Sequence, residues 1–250
     1  MMSLPQLNVL LLDQYPILEQ LRLEEALLRV DKRNWCLINQ RPSQAIVMGI
    51  SAQPEHVIDL SKLQQKPVSL IRRFSGGGTV FIDENCVMVT FICNQEDIGV
   101  PCFPKPVFQW SESFYRPIFK DYDFNLREND YVMGHRKFGG NAQYMMKNRW
   151  LHHSSFLWDY DADKMEYLKL PPKTPEYRQQ RPHREFLCKL NEYFSNRSEL
   201  LEKLCNNLKS RFEIHSSDIS VIYEISKKPH RKVSEEIMLN LECSDLLPLS

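Results

Sequence analysis

Three stretches of this chain combine glycine, positive charge and histidine in patterns that suit anion chemistry. The first is Arg72-Arg73-Phe74-Ser75-Gly76-Gly77-Gly78-Thr79-Val80. Glycine loses the most backbone entropy on folding, so a run of it marks a backbone that takes unusual dihedrals or lets a ligand come close. Two arginines lead in, and the guanidinium is a planar fork matched to carboxylates and phosphates. Gly-rich amides beside such charge form an anion cradle. The plainer alternative is a Gly-rich hairpin with two solvated arginines. In the second stretch, Lys137 stands just ahead of Gly139-Gly140-Asn141-Ala142-Gln143. Its ammonium could neutralise a carboxylate and then the charge that builds during attack on an acyl phosphate, although most lysines are simply exposed. The third is Trp150-Leu151-His152-His153-Ser154-Ser155-Phe156-Leu157. Either histidine could make polar contacts there. Adjacent strand residues point to opposite faces, which argues against both ligating one metal.

These residues need a frame. Leu7 to Leu12 reads as a strand, Pro16 as the first turn of a helix, and Ile17, Leu21, Leu27 and Leu28 as its apolar stripe. Asn34–Asn39 and Ala45–Gly49 read as strands, and Val57–Leu63 as a short helix. Val68–Ile71, Thr79–Ile82 and Cys86–Cys93 then give an expected antiparallel meander with the glycines at its edge. A P-loop would need GxxxxGK[ST] before a helix, and a dinucleotide fingerprint would also need a helix after the glycines; neither pattern is present. Phe108–Phe119 is expected to be a core helix, Leu126–Met133 and Arg136–Gln143 strands, and Pro171–Pro182 irregular. Phe186–Tyr193 and Ser198–Phe212 read as helices, the second with Ser198 as N-cap, and Val221–Tyr223 as a strand. The expected fold is one α/β (α+β) domain over residues 1–213, with packed helices and a mixed, mainly antiparallel sheet. Residues 214–250 form a weakly patterned extension.

The chain has 250 residues, 42% hydrophobic and 26% charged, with a formal net charge of +0. That balance suggests neither a basic face nor nucleic-acid binding. Seven scattered cysteines without a CxxC read as reduced thiols, mostly buried, not as a disulfide frame or a zinc site. No apolar run is long enough for a membrane helix, and no secretory pattern opens the chain. A cytoplasmic location is the default, with an organelle left open.

The blocks Arg72-Arg73-x-Ser75-Gly76-Gly77-Gly78-x-Val80, Arg136-Lys137-x-Gly139-Gly140-x-Ala142-Gln143 and Leu151-His152-His153-x-x-x-Leu157 occur in that order. Together they resemble the signature blocks of the lipoate–protein ligase A family, within the biotin/lipoate ligase superfamily. The likeness runs over about residues 10–213. It implies a biotin/lipoyl-ligase-like catalytic domain and a reaction in which lipoate and ATP form lipoyl-AMP. The lipoyl group would then pass to a lysine on a lipoyl domain, of the 2-oxoacid dehydrogenase E2 or glycine-cleavage H protein type. ATP and Mg²⁺ would be co-substrates, with no permanently bound cofactor and no metal site of its own. Gly76, Gly77, Gly78, Thr79 and Val80 would lie along the adenylate and acyl chain. Arg72, and with it Arg73, would face the phosphate, with Ser75 in the same loop. Lys137 would bridge acyl carbonyl and phosphate as the catalytic residue, with Gly139, Ala142 and His152 beside it.

Two departures from the family pattern stand out. The chain after Arg211 is too short for the sizeable accessory domain of some ligases, so a separate accessory subunit or a preformed acyl donor comes into view. The transferase relatives use a cysteine nucleophile. None precedes Arg136 nearby, and Cys188 downstream reads as a buried helix face, a poor setting for a thiolate. Asn129 and Asp130 suit a contact with nucleotide or metal, or equally a turn cap. The alternatives to a ligase are an octanoyl/lipoyl transferase and a non-catalytic relative that binds lipoyl-AMP or the acceptor. The intact Lys137 and Gly loop argue against the last.

Overall fold

The computed structural model describes residues 3–170 and 174–239. Pro171, Pro172 and Cys243 fall outside the described residues. Among the described residues the strands, in chain order, are β1 (Gln6–Leu12), β2 (Trp35–Asn39), β3 (Ala45–Met48), β4 (Leu70–Arg72), β5 (Val80–Ile82) and β6 (Cys86–Asn94). The second half adds β7 (Phe124–Arg127), β8 (Asp130–Met133), β9 (Arg136–Met145), β10 (Arg149–Leu157), β11 (Glu213–Ser216) and β12 (Glu235–Glu236). They form an eight-stranded sheet in the order β11-β1-β2-β6-β10-β9-β8-β7 and a four-stranded sheet in the order β12-β4-β3-β5. The larger sheet is antiparallel from β2 through to β7 and parallel at β11-β1-β2. The fold is thus mixed α/β with largely antiparallel sheets and packed helices.

β6 shows why the layers form. It is buried at every position but its last, as a central strand covered on both faces must be. Val87, Val89, Phe91 and Cys93 turn to one face, where the Pro104–Tyr115 and Arg197–Arg211 helices supply Val107, Phe114, Leu200 and Leu204. Met88 and Ile92 turn to the other face, where the Ile17–Val30 helix and the small sheet lie. That helix buries Leu21, Leu23, Leu27 and Leu28, each contributing about 1.5–3 kcal/mol.

Several expectations are corrected here. The meander does not form. β4 and β5 never pair with each other but flank β3, β4 parallel and β5 antiparallel to it, and β6 belongs to the other sheet. The Gly-rich segment is too long for a tight turn and instead crosses the end of β3. Val221–Tyr223 lies in a helix, Ile219–Ser226, capped by Asp218, because Ile222 and Ile225 fall on one face against the Ile17–Val30 helix. Phe186–Tyr193 is not a helix. Short turns at His183–Phe186 and Leu190–Glu192 bracket an extended link that bridges Lys137 to Leu187. Asn196, not Ser198, caps the Arg197–Arg211 helix through a bond to the Glu199 amide. Val57–Leu63 is two short turns, Pro54–Val57 and Leu60–Gln65, because Ile58 between them bridges to Leu168. No helix among the described residues is long and apolar enough to cross a membrane.

The fold has no break at residue 213. β11 extends the large sheet beside β1, and β12 extends the small sheet beside β4. Between them Glu25, which is buried, accepts the amides of Val233 (2.9 Å) and Ser234 (3.2 Å), and the Phe74 amide donates to Ser234 Oγ (3.3 Å). The C-terminal strap is thereby tied to the residue that enters the Gly-rich loop. Glu25→Ala leaves the half-buried Val233 amide, the buried Ser234 amide and the Arg29 guanidinium without this acceptor and should destabilise the protein by about 2–3 kcal/mol, with earlier proteolysis within 227–239. Urea unfolding and timed digestion check this; parent-like values in both would show that the strap is held elsewhere.

Candidate active site

A cavity of about 710 Å³ opens between the two sheets, a size that suits a small-molecule substrate. Its apolar part is walled by Ile17, Leu21, Val47, Ile82, Met88 and Leu157. Its polar part is walled by the Gly-rich loop, by β9 and by the segment from Pro175 to Leu187.

The Gly-rich loop is held from below. Gly77 takes a φ of +103°, a region that favours glycine. Its carbonyl oxygen rests on β3's end so closely that a Cβ on Gly49 would sit 2.2 Å from it. Beneath the loop, Arg73 Nη2 donates to the carbonyls of Gly76 and Gly78 (2.8 Å each), and Nη1 donates to Val47 O (3.3 Å). Burial pulls the Arg73 guanidinium down to about 10, with Glu24 opposing, so it stays charged at neutral pH. Arg73 Nε donates to Ser75 Oγ (3.1 Å), and Ser75 Oγ lies 3.2 Å from His153 Nε2. His153 Nδ1 lies 3.2 Å from Glu24 Oε2. Read as donors and acceptors, the chain runs from Arg73 through Ser75 and His153 to Glu24. It has the composition of a Ser–His–acid triad, but Ser75 is fully buried and does not reach the cavity. Its work is to brace the loop.

β9 carries a charged side of the cavity. The β8–β9 register slips between Tyr131 and Val132, leaving Phe138 as an extra residue. This bulge turns Lys137 and Gly140 to the same face. A Cβ on Gly140 would lie 3.5 Å from Lys137 Nζ, an ordinary contact distance that places the two side by side. Lys137 Nζ pairs with Asp130 Oδ1 at 2.7 Å, and Tyr177 Oη donates to Asp130 Oδ2 at 2.8 Å. Gly139 has another reason to be glycine, since a Cβ there would meet the Phe156 ring at 2.9 Å.

Of the residues singled out in the sequence, Gly77, Gly78, Thr79 and Val80 line the cavity, as do Lys137, Gly139 and Ala142. Arg72, Ser75, Gly76 and His152 do not. Arg72 is turned toward backbone: its Nη1 donates to Ile50 O (3.0 Å) and Ala52 O (2.7 Å). His152 shares its face of β10 with Trp150 and Phe156, and is fully buried in the core. There Gln143 Nε2 lies 3.0 Å from its Nδ1 and Tyr131 Oη 3.1 Å from its Nε2. His153 takes the cavity face instead. Cys188 is no helix-face residue: its amide bonds Lys137 O at 2.9 Å, and its thiol, pushed up to about 11 by burial, lies 3.4 Å from Arg136 O. The other described cysteines, including Cys36, Cys86 and Cys93, are free thiols. His153 was singled out in the sequence only together with His152, and Gly49, Glu24, Tyr177 and Arg178 were not singled out at all. Only His153 had an available signal, the parity of the aromatic residues around it.

The model of the lipoyl protein ligase A/B catalytic domain matches residues 16–213, and the chain belongs to that family. The inactive lipoate–protein ligase 2 of Plasmodium falciparum is 26% identical over an alignment of 298 positions, which covers 93% of this chain and 77% of that protein. Other curated relatives, among them the lipoate–protein ligase A of Blochmanniella floridana, are matched over only 31% to 45% of their own length. Among solved structures, a lipoate–protein ligase A bound with ATP superposes with a TM-score of 0.71 at 18% identity, over 91% of this chain and 95% of that one. The bipartite lipoate protein ligase of Thermoplasma acidophilum, studied with its E2 lipoyl domain, gives 0.70 at 18% identity, over 91% and 93%. At such identities these superpositions establish the fold.

Two outcomes follow from the geometry. Gly49→Ala must displace the Gly-rich loop, and strain of this kind costs about 1–3 kcal/mol; parent-like urea stability would mean that the loop is not seated on Gly49. Burial, with His153 adding to it, pulls His152 down to about 3. In the unfolded chain it protonates near pH 6.5. The unfolded state therefore binds the extra proton, and stability falls as pH drops from about 6.5 toward about 3, being fully present above about 6.5. The urea midpoint of His152→Gln should fall less between about pH 7 and about pH 5 than the parent's; equal slopes would rule out His152 as the source.

Proposed function

We propose that this chain is the catalytic domain of an ATP-dependent lipoate–protein ligase. The observation that carries the reading is the meeting, in one cavity with an apolar end, of a glycine-rich backbone and the Lys137–Asp130 pair. In this reading the carboxylate of lipoate attacks the α-phosphorus of ATP. A P–O bond forms, pyrophosphate leaves, and lipoyl-AMP remains. The ε-amine of an acceptor lysine then attacks the acyl carbon, AMP leaves with the anhydride oxygen, and the amine loses a proton. Gly77, Gly78 and Thr79 lie along the adenylate, and the wall of Ile17, Leu21 and Met88 takes the acyl chain. Lys137 exchanges part of its pairing with Asp130 for the acyl carbonyl and phosphoryl oxygens, where negative charge develops. Residues 1–213 supply these groups, and the strap beyond them supports the loop.

Asp130 and Asn129 both line the cavity, and they fit a nucleotide-borne Mg²⁺. No cluster of three or more metal-binding side chains occurs among the described residues. Mg²⁺ needs none, since it takes most of its ligands from phosphate and water and commonly one or two carboxylates from protein. When bound, the ion would offset triphosphate charge. The expected partner is the lipoyl domain of an acceptor protein.

A second reading has its own support. The Plasmodium relative is named inactive, and Arg72 and Arg73 both turn toward backbone carbonyls instead of offering charge to a triphosphate. This favours a transferase that accepts preformed lipoyl-AMP and keeps the second half of the reaction.

Purified protein given lipoate, ATP, Mg²⁺ and an apo lipoyl domain separates the two. Pyrophosphate release with a lipoyl mass gain supports the ligase; modification only from supplied lipoyl-AMP supports the transferase, and neither outcome would reject both. Lys137→Ala should lower transfer at least about 100-fold, the scale of losing one charge-stabilising donor, while the melting profile stays near the parent's. Retained transfer would remove Lys137 from the mechanism.

A further inference from the structure

Seven buried side-chain atoms among the described residues lack a hydrogen-bond partner, and two of them belong to the cavity wall: Thr79 Oγ1 and Arg178 Nη2. Buried polar atoms are normally paired, so an orphan in a cavity wall calls for an explanation. Thr79 sits on the Gly-rich loop. Arg178 sits on the Pro175–Leu187 segment, which runs beside the start of β9 through the Lys137–Leu187 bridge.

Arg178 is only 5% exposed, although it is a cation. Its Nε donates to Arg181 O at 2.9 Å, and its guanidinium lies 4.6 Å over the Phe186 ring, which holds the plane of the fork. No carboxylate among the described residues pairs with it. The nearby Asp130 is already taken by Lys137 and Tyr177. Other cations of the wall are engaged with the protein: Arg73 with the loop carbonyls, Lys137 with Asp130, and Lys169 with Glu55 O at 2.9 Å. His183, also in the wall, is held down to about 4 by burial and by the charges of Arg178 and Lys137, so those two cations act on one place. An uncharged His183 beside two cations leaves a site with surplus positive charge and donors still to be satisfied.

We propose that Arg178 is an anion-holding residue of this cavity, its guanidinium taking an oxyanion of the acyl substrate as that substrate is activated. The proposal rests on the ligase or transferase reading above. Two sources carry the same oxyanion chemistry: the carboxylate of free lipoate, and the phosphoryl group of the adenylate. Either would satisfy the orphan Nη2 after a small movement of the side chain, and a buried charge-assisted bond of this kind is strong.

Calorimetric titration of the full chain with lipoate, AMP and lipoamide tests this, comparing the parent with Arg178→Gln and Arg178→Lys. Arg178→Gln should weaken either lipoate or AMP at least about tenfold, as expected on losing a charged partner in a buried pair. Lipoamide, which is uncharged, should bind within about twofold of the parent if the loss is electrostatic. A loss confined to lipoate assigns the carboxylate; a loss confined to AMP assigns the phosphoryl group. Arg178→Lys keeps the charge but not the fork, and should lose affinity for the same ligand severalfold. Should Arg178→Gln not fold, that second variant alone decides the matter. Unchanged affinity for both lipoate and AMP overturns the proposal, and so does a parallel loss for lipoamide, which would mark a purely structural role. A parent protein that binds none of the three overturns the ligase and transferase readings themselves.

Discussion

The site depends on one buried cation. Arg73 lies under the glycine-rich loop and ties two of its carbonyls, Gly76 and Gly78, to the end of β3 through Val47. A charge in such a place is tolerable only if it is hydrogen-bonded and balanced. Both conditions are met, by the carbonyls above it and by the Ser75–His153–Glu24 chain beside it. Glu24 itself is fixed by Gln20 (2.8 Å) and Thr90 (2.6 Å). The brace therefore joins the Ile17–Val30 helix, β6, β10 and the loop. With its carbonyls drawn downward, the loop holds a fixed shape before any ligand arrives, and that preorganisation is what a binding backbone requires.

The second constraint is the bulge at Phe138. Without the extra residue, Lys137 and Gly140, an odd number of positions apart, would face opposite sides of the sheet. With it, Lys137, Gly140 and Asp130 share the cavity face, while Phe138 joins Tyr131 and Phe156 in the aromatic core behind. One irregularity thus serves both packing and chemistry. It also sets what the two glycines meet: a Cβ on Gly139 would strike a ring in the core, whereas one on Gly140 would lie against the lysine stem at ordinary contact distance.

Much of the fold was legible because its signals are local. The continuous apolar run of β6, the alternation of β10 and the stripe of the Ile17–Val30 helix are properties of consecutive residues. Most of the failures share a cause: they depend on partners elsewhere along the chain. β4 and β5 read as a hairpin because they are neighbours in sequence, yet both pair with β3. Val221–Tyr223 is apolar and β-branched enough for a strand, and only the packing of Ile222 and Ile225 against another helix makes it helical. In the site, the lysine and the glycines announced themselves by type and spacing. His152 was preferred to His153 at the site, yet it is His153 that lines the cavity: Trp150 and Phe156 share parity with His152, and large aromatic residues mark the core side. Glu24 left no such trace, since 129 positions separate it from His153.

A division of labour among the positive charges follows. Arginine before a glycine-rich loop invites the reading of a phosphate hook, because the fork suits phosphate so well. The same fork suits two carbonyl oxygens, and here both arginines turn to backbone: Arg73 to the loop, Arg72 to the 50–52 segment whose Ser51 and Ala52 line the cavity. They shape walls. The loop then leaves open backbone along the cavity, and two further cations of the wall, Lys137 and Arg178, come from β9 and the Pro175–Leu187 segment. Walls shaped by arginines bonded to backbone, Arg73 buried and Arg72 half-buried, can hold their form while Lys137 and Arg178, in the proposed reaction, meet the substrate. That separation suits a cavity whose occupant, in the proposed reaction, passes from carboxylate to mixed anhydride to amide without leaving it.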